Sequence, residues 1–193
     1  MKSMIIVSLL LLIAQSAVAR TWSVLVTEDS GVGSLRDVYN RIDPGDTVTF
    51  APWLHGKTIE LDAELRISKR VTIVGDIDAD EKPDVTISGK NAHRIFYVPE
   101  GITLNLRGVT LRHGRSATDG GSIYNLGTVN IDRSRLRDNH AGRGGAVYNR
   151  GILVISDSAA QGNIATRDGA VVYNEKIDAS LSMVQLTRSG FYH

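Results

Sequence analysis

The side chains of this 193-residue chain that could do chemistry fall into two groups, one acidic and one basic. In the first, Asp76, Asp78 and Asp80 alternate along Asp76-Ile77-Asp78-Ala79-Asp80. That is how a Ca2+ loop opens, with alternate carboxylates supplying oxygen ligands. The pattern then breaks. Glu81 stands where such a loop needs glycine for its sharp turn, and Ile87 stands where a bidentate glutamate would close the site. A solvated insertion between strands is the plainer reading, and weak Ca2+ binding at Asp76, Asp78 and Asp80 is its alternative. The second group is Arg107, Arg112, Arg115, Arg133, Arg135, Arg137, Arg143 and Arg150, set against Asp119, Asp132 and Asp138. This local excess of guanidinium suits an acidic glycan or other extracellular polyanion; a solvated basic face is the simpler account. His113 and His140 lack ligand-type spacing. No phosphate loop, nucleophile elbow or nucleic-acid signature is present.

Whether these groups meet depends on the elements that carry them, and those announce themselves as a repeat. Gly120-Gly121-Ser122-Ile123-Tyr124-Asn125 recurs as Gly144-Gly145-Ala146-Val147-Tyr148-Asn149 and, decayed, as Asp168-Gly169-Ala170-Val171-Val172-Tyr173-Asn174. The spacings are 24 (149 minus 125) and 25 (174 minus 149) residues. A fixed period in this range means stacked units, each unable to bury its apolar face alone. Within the units Leu104-Asn105-Leu106-Arg107 aligns with Val129-Asn130-Ile131-Asp132 and Leu153-Val154-Ile155-Ser156. This alternation predicts strands with Leu104, Leu106, Val129, Ile131, Leu153 and Ile155 turned inward. Leu111, Leu136 and Ala160 form another buried column. Three short strands per unit predict one coil of a parallel β-helix.

Stacked coils turn equivalent residues into columns. Asn125, Asn149 and Asn174 predict one amide ladder, and Asn139 with Asn163 a second. Tyr124, Tyr148 and Tyr173 form an aromatic column. Arg112 falls above Arg137, a like-charge stack that is unfavourable unless screened or bound to an anion. Arg107 and Arg135 flank it, so these four arginines are the candidate polyanion site. Asp132 falls between Arg107 and Ser156, and Asp157 beside Arg133. On this alignment both of these acids have a basic neighbour one coil away and no column holds two acids, which argues against paired-carboxylate catalysis.

The remaining chain frames the array. A basic start, the apolar run Ile5–Ile13 and Ala17-Val18-Ala19 read as a secretory leader cut between Ala19 and Arg20. The run is too short to span a bilayer, and no later segment is suited to do so. Removing residues 1–19 leaves 174 residues with 21 basic side chains (22 minus Lys2) and 21 acidic ones, so bulk charge names no partner. With no cysteine, such an exported chain relies on packing and hydrogen bonds. Residues 20–50 hold a strand at Trp22–Val26 and a helix. Leu35, Val38, Tyr39 and Ile42 mark the helix's apolar face, Ser34 its N-cap, and the end of the β-stack its seat. Residues 51–193 form the β-helix, clearest in 101–174. Thr58–Leu61, Val71–Val74, Val85–Ile87 and Ile95–Val98 read as its earlier strands, and Glu175 onward departs from the repeat.

The chain resembles secreted bacterial right-handed parallel β-helix proteins of the pectin-lyase-like superfamily, with polymorphic-outer-membrane-protein-type repeats and a CSLREA-like N-terminal segment. The resembling residues are Asp29–Val38, Asp43-Pro44-Gly45-Asp46-Thr47-Val48-Thr49-Phe50, Thr86-Ile87-Ser88-Gly89 and the Gly-Gly boxes. Gly33 replaces the cysteine of the N-terminal motif. The resemblance implies an all-β, right-handed parallel β-helix with a capping helix, exported to the cell surface or medium, with an adhesin-like, non-catalytic role. It also implies the rival readings, a polysaccharide lyase or glycosidase of the same fold, or an inactive fragment of a longer surface protein.

Overall fold

A computed structural model describes residues 18–175 and 182–192. The basic start and apolar run of the expected leader lie outside the described residues. The chain winds into a parallel β-solenoid of about six turns. Strand β1 (Thr21–Val24) and helix α1 (Leu35–Arg41) come first. The first coils carry β2 (Thr47–Phe50), β3 (Thr58–Glu60) and β4 (Leu65–Arg66), then β5 (Val71–Val74), β6 (Val85–Ser88) and β7 (Phe96–Val98). Next come β8 (Thr103–Arg107), β9 (Val109–Arg112) and β10 (Ile123–Asn125). Two coils then gain a fourth strand: β11 (Thr128–Asp132), β12 (Arg135–Arg137), β13 (His140–Arg143) and β14 (Val147–Asn149), followed by β15 (Ile152–Ser156), β16 (Ala159–Gln161), β17 (Ile164–Asp168) and β18 (Val172–Asn174). Finally, β19 (Met183–Thr187) and β20 (Gly190–Tyr192) extend two of the sheets.

All strand pairs are parallel, in sheets ordered β1-β2-β5-β8-β11-β15-β19, β3-β6-β9-β12-β16-β20, β4-β7-β10-β14-β18 and β13-β17. The alternation read from the sequence sets the register. Val48, Ile73, Leu106, Ile131 and Ile155 make one continuous inward column. Ile59, Ile87, Leu111, Leu136 and Ala160 make a second, and Leu65, Phe96, Ile123 and Val147 a third. All are buried. Each large aliphatic buried this way is worth roughly 1.5–3 kcal/mol, so these columns supply the main drive for stacking.

Polar ladders hold the corners. Asn125 donates to Asn149 at 2.7 Å and Asn149 to Asn174 at 2.7 Å. Asn139 donates to Asn163 at 2.9 Å and accepts from the Gly114 backbone at 2.8 Å. A serine column that the sequence reading did not single out closes another corner: Ser134 accepts from the Val109 backbone, Ser158 from that of Ser134, and Ser189 from that of Ser158. The Gly-Gly box is explained by two separate demands. Its first glycine, Gly120, Gly144 or Gly169, has φ of 62–68°, the left-handed region that glycine adopts without strain. Its second faces the next coil: a Cβ on Gly121 would meet the Gly145 carbonyl oxygen at 2.1 Å, and one on Gly145 the Ala170 carbonyl oxygen at 2.2 Å. Ala170 follows the last of these and belongs to the coil whose β18 ends its sheet.

Helix α1 seats on the first coil. Ser34 caps it, accepting from the Asp37 backbone at 3.1 Å, and Leu35, Val38 and Tyr39 are buried. The Tyr39 hydroxyl accepts from the Ser68 backbone at 2.6 Å, and Arg36 reaches the Ala63 carbonyl at 2.6 Å. Residues beyond Glu175 do continue two sheets, because Met183–Thr187 pairs with β15 in register. The spacing there stretches to 31 residues (183 minus 152), which hides the repeat.

Candidate functional site

The four predicted arginines lie on exposed strand faces around one corner. Arg112 and Arg137 are register partners, as are Arg107 and Asp132. Arg112 donates to Asp138 at 3.0 Å and Arg137 to Gln161 at 3.2 Å, while Arg107 stands 4.0 Å from Asp132. These pairs are about half exposed and contribute little to stability. The Arg135 guanidinium has no hydrogen bond or ion pair among the described residues, and the residue lines a cleft of about 310 Å3. Glu81, Lys82, Arg133, Asp157, Arg188 and the largely exposed Tyr192 are among the other residues that line it.

The acidic loop forms one wall. Oxygens of Asp76, Asp78 and Asp80 lie within 4.8 Å of one another, as do ligand atoms of His55, Asp78 and Asp84. Lys82 Nζ sits 2.5 Å from Asp80 and holds that carboxyl below its usual range, so a lysine already neutralises one arm of the cluster. Glu81 adopts the left-handed backbone (φ 68°) that glycine would take at this turn, and its carboxylate reaches Arg133 at 3.2 Å. Arg133 remains a neighbour of Asp157 one coil away, but the two form no ion pair among the described residues. Asp157 instead binds Arg188 through two contacts of 2.6 Å, one coil further on. Asp132 keeps its predicted neighbours, with Ser156 donating to it at 2.7 Å.

The densest constellation lies on another face. The expected tyrosine column gains a member and becomes Tyr97, Tyr124, Tyr148 and Tyr173, with centroids 4.8–5.7 Å apart and rings nearly parallel. Arginines cover it: Arg66 over Tyr97 at 4.1 Å, Arg94 over Tyr124 at 5.1 Å, and Arg143 over both Tyr148 and Tyr173. Arg143 is the hub. It donates twice to Asp119, at 2.7 and 3.1 Å, and once to Glu175 at 3.0 Å. Arg150 stands 3.2 Å from Glu175, and the buried Tyr148 hydroxyl donates to the same carboxylate. Strand pairing places Asp119, Arg143 and Asp168 in one column. The expectation that no column holds two acids is therefore wrong. The signal was readable, since the residue before each box runs Asp119, Arg143, Asp168.

The electrostatics of this hub are those of a locked network. Its bond to Asp119 raises the Arg143 pKa above the ordinary guanidinium value, so it stays protonated. The Tyr148 hydroxyl, then Arg143, lower the Glu175 pKa, so it stays ionised. Burial, then Glu175, raise the Tyr148 pKa. Each group is fixed in its resting form near neutral pH, whereas a general acid or base must exchange its proton.

No protein-family model, curated protein or solved structure matches this chain. Among the described residues no helix is long and apolar enough to cross a membrane.

Proposed function

We propose that the protein is a secreted or cell-surface, non-catalytic scaffold that binds an acidic glycan on the face carrying Arg107, Arg112, Arg135 and Arg137. The observation that carries this reading is the placement of Arg135. Among the described residues its guanidinium has no partner, and it lies beside the Arg112–Arg137 stack and lines a cleft that the exposed Tyr192 also lines. Parallel stacking sets Arg112 about 4.8 Å from Arg137 across strands and Arg135 about 6.6 Å from Arg137 along one, a fixed spacing suited to neighbouring carboxylates or sulfates of a polymer. The locked network around Arg143 supports the non-catalytic half of the reading. Its acids and base are spent on one another.

The test is direct. The chain from Arg20 is incubated with polygalacturonate or alginate, with and without Ca2+, and binding and product are both followed. Binding is expected to weaken about tenfold between 50 and 500 mM salt, as screening shortens. Combined Arg112→Ala and Arg137→Ala should weaken it several-fold while changing stability by less than about 0.5 kcal/mol. Release of unsaturated or reducing sugar would overturn the non-catalytic reading. Affinity unchanged by salt and by the double substitution would overturn the glycan reading.

A further inference from the structure

The most unusual buried charge in the molecule lies at the N-terminal end of the solenoid. Asp46 is only 2% exposed. Its carboxylate accepts from the Arg20 backbone nitrogen at 2.7 Å, the Trp22 indole at 2.8 Å and the Asp43 backbone at 2.9 Å. No cationic side chain bonds to it among the described residues, although a buried carboxylate ordinarily requires a cation. The nearby charges are turned elsewhere. The Arg20 guanidinium stands 3.9 Å from Asp43, Arg41 lies over the Trp22 ring, and Arg70 lies beside Gly45. The shortest donor to Asp46 is the nitrogen of the residue that the leader motif marks as the first of the processed chain. Val18, Ala19 and Arg20 are exposed, so that bond is accessible.

We propose that cleavage between Ala19 and Arg20 places the new α-ammonium of Arg20 on the buried Asp46 carboxylate, completing an ion pair that the uncut chain lacks. A leader peptidase hydrolyses the Ala19–Arg20 amide. Water supplies hydroxyl to the Ala19 carbonyl carbon and a proton to the Arg20 nitrogen, and that amine takes a second proton from solvent. The neutral N–H donor thereby becomes a charged one at the same place. Folding of the N-terminal coil is tied in this way to export.

Three forms test this: the chain beginning with a free Arg20 amine, the same chain acetylated on Arg20, and the chain retaining Ala19. A charge-assisted bond exceeds a neutral one enough to favour the free-amine form roughly five- to tenfold in folding equilibrium, about 3 °C in midpoint. The paired amine has its pKa raised above the ordinary 7.7–8.0 or so. The gain is therefore full below that value and is lost as pH rises through the folded-state pKa. It should vanish in Asp46→Asn. Equal stability of the free and acetylated forms at pH 6.5, or a gain that survives Asp46→Asn, would overturn the proposal. If Asp46→Asn does not fold, the Arg20 amine is titrated directly by NMR: a pKa above about 8 supports the pair, and one at or below it overturns the pair. N-terminal sequencing of exported protein must also begin at Arg20, and any other start overturns the inference.

Discussion

The two halves of the solenoid share their sheets and differ in their corners. From β8 to β18 the corners are closed by residues that recur: the Asn125–Asn149–Asn174 and Asn139–Asn163 ladders, the serine column, and the Gly-Gly box. From β2 to β7 each corner is solved once. Tyr39 caps one turn, Lys90 ties Asp62 at 2.9 Å across another, and the Gly75–Asp84 loop bulges from a third. Yet the inward columns run through both halves without a break. Stacking thus depends on the aliphatic interior, whereas repetition in the sequence is a property of the corners. A coil needs an apolar inner face to join the stack. It needs a ladder only where a short corner leaves backbone groups to be satisfied by the neighbouring coil.

Substitutions that strike the repeated corners should therefore cost more than comparable ones in the first half. The largest effect is expected at the second box glycine. Gly121→Ala pushes a methyl into a carbonyl oxygen that belongs to backbone and cannot turn away. Urea unfolding should show a loss of about 3–4 kcal/mol, against less than about 1 kcal/mol for Ala170→Gly. Equal costs at the two positions would break the account of the box. Next comes Asn149→Ala, which leaves the Asn125 amide and the Gly151 N–H and C=O without their partner. A loss of about 2–3 kcal/mol is expected. Tyr39→Phe, which removes a one-off contact in the first half, should cost about 1 kcal/mol. The reverse order would mean that the ladders are incidental.

A fourth prediction concerns acid. The Glu175 pKa is lowered by the Tyr148 hydroxyl and Arg143, so its contribution is present above the unfolded value of about 4.3 and fades as pH falls through the folded one. Glu175→Gln should cost about 1–2 kcal/mol at pH 7 and flatten the decline in stability between about pH 5 and 3. A mutant as acid-sensitive as the parent chain would show that Glu175 is not titrating against the hub.

Much of this was legible in the chain itself. Period-2 alternation marks the inward columns, the box spacing marks the coil, and Ser34 with Leu35, Val38 and Tyr39 marks the capping helix. What escaped did so for physical reasons. Arg188 lies beyond a lengthened connection, so the alignment found Arg133 for Asp157 and missed its true partner. The hub at Arg143 draws Glu175 and Arg150 from outside its own column, and no spacing rule reports that convergence. Asp46 meets Arg20 across 26 residues because β1 folds back beside β2.

Ala170 has a consequence of another kind. A pile of parallel coils is the geometry of a growing fibril, whose open rim templates the next chain. At this corner the rim ends in a methyl group where the earlier coils carry hydrogen. A further Gly-Gly corner approaching in register would bring its carbonyl oxygen against that methyl at a distance no contact allows. The residue that looks like decay in the third box thus makes this corner a poor template for another coil of the same kind.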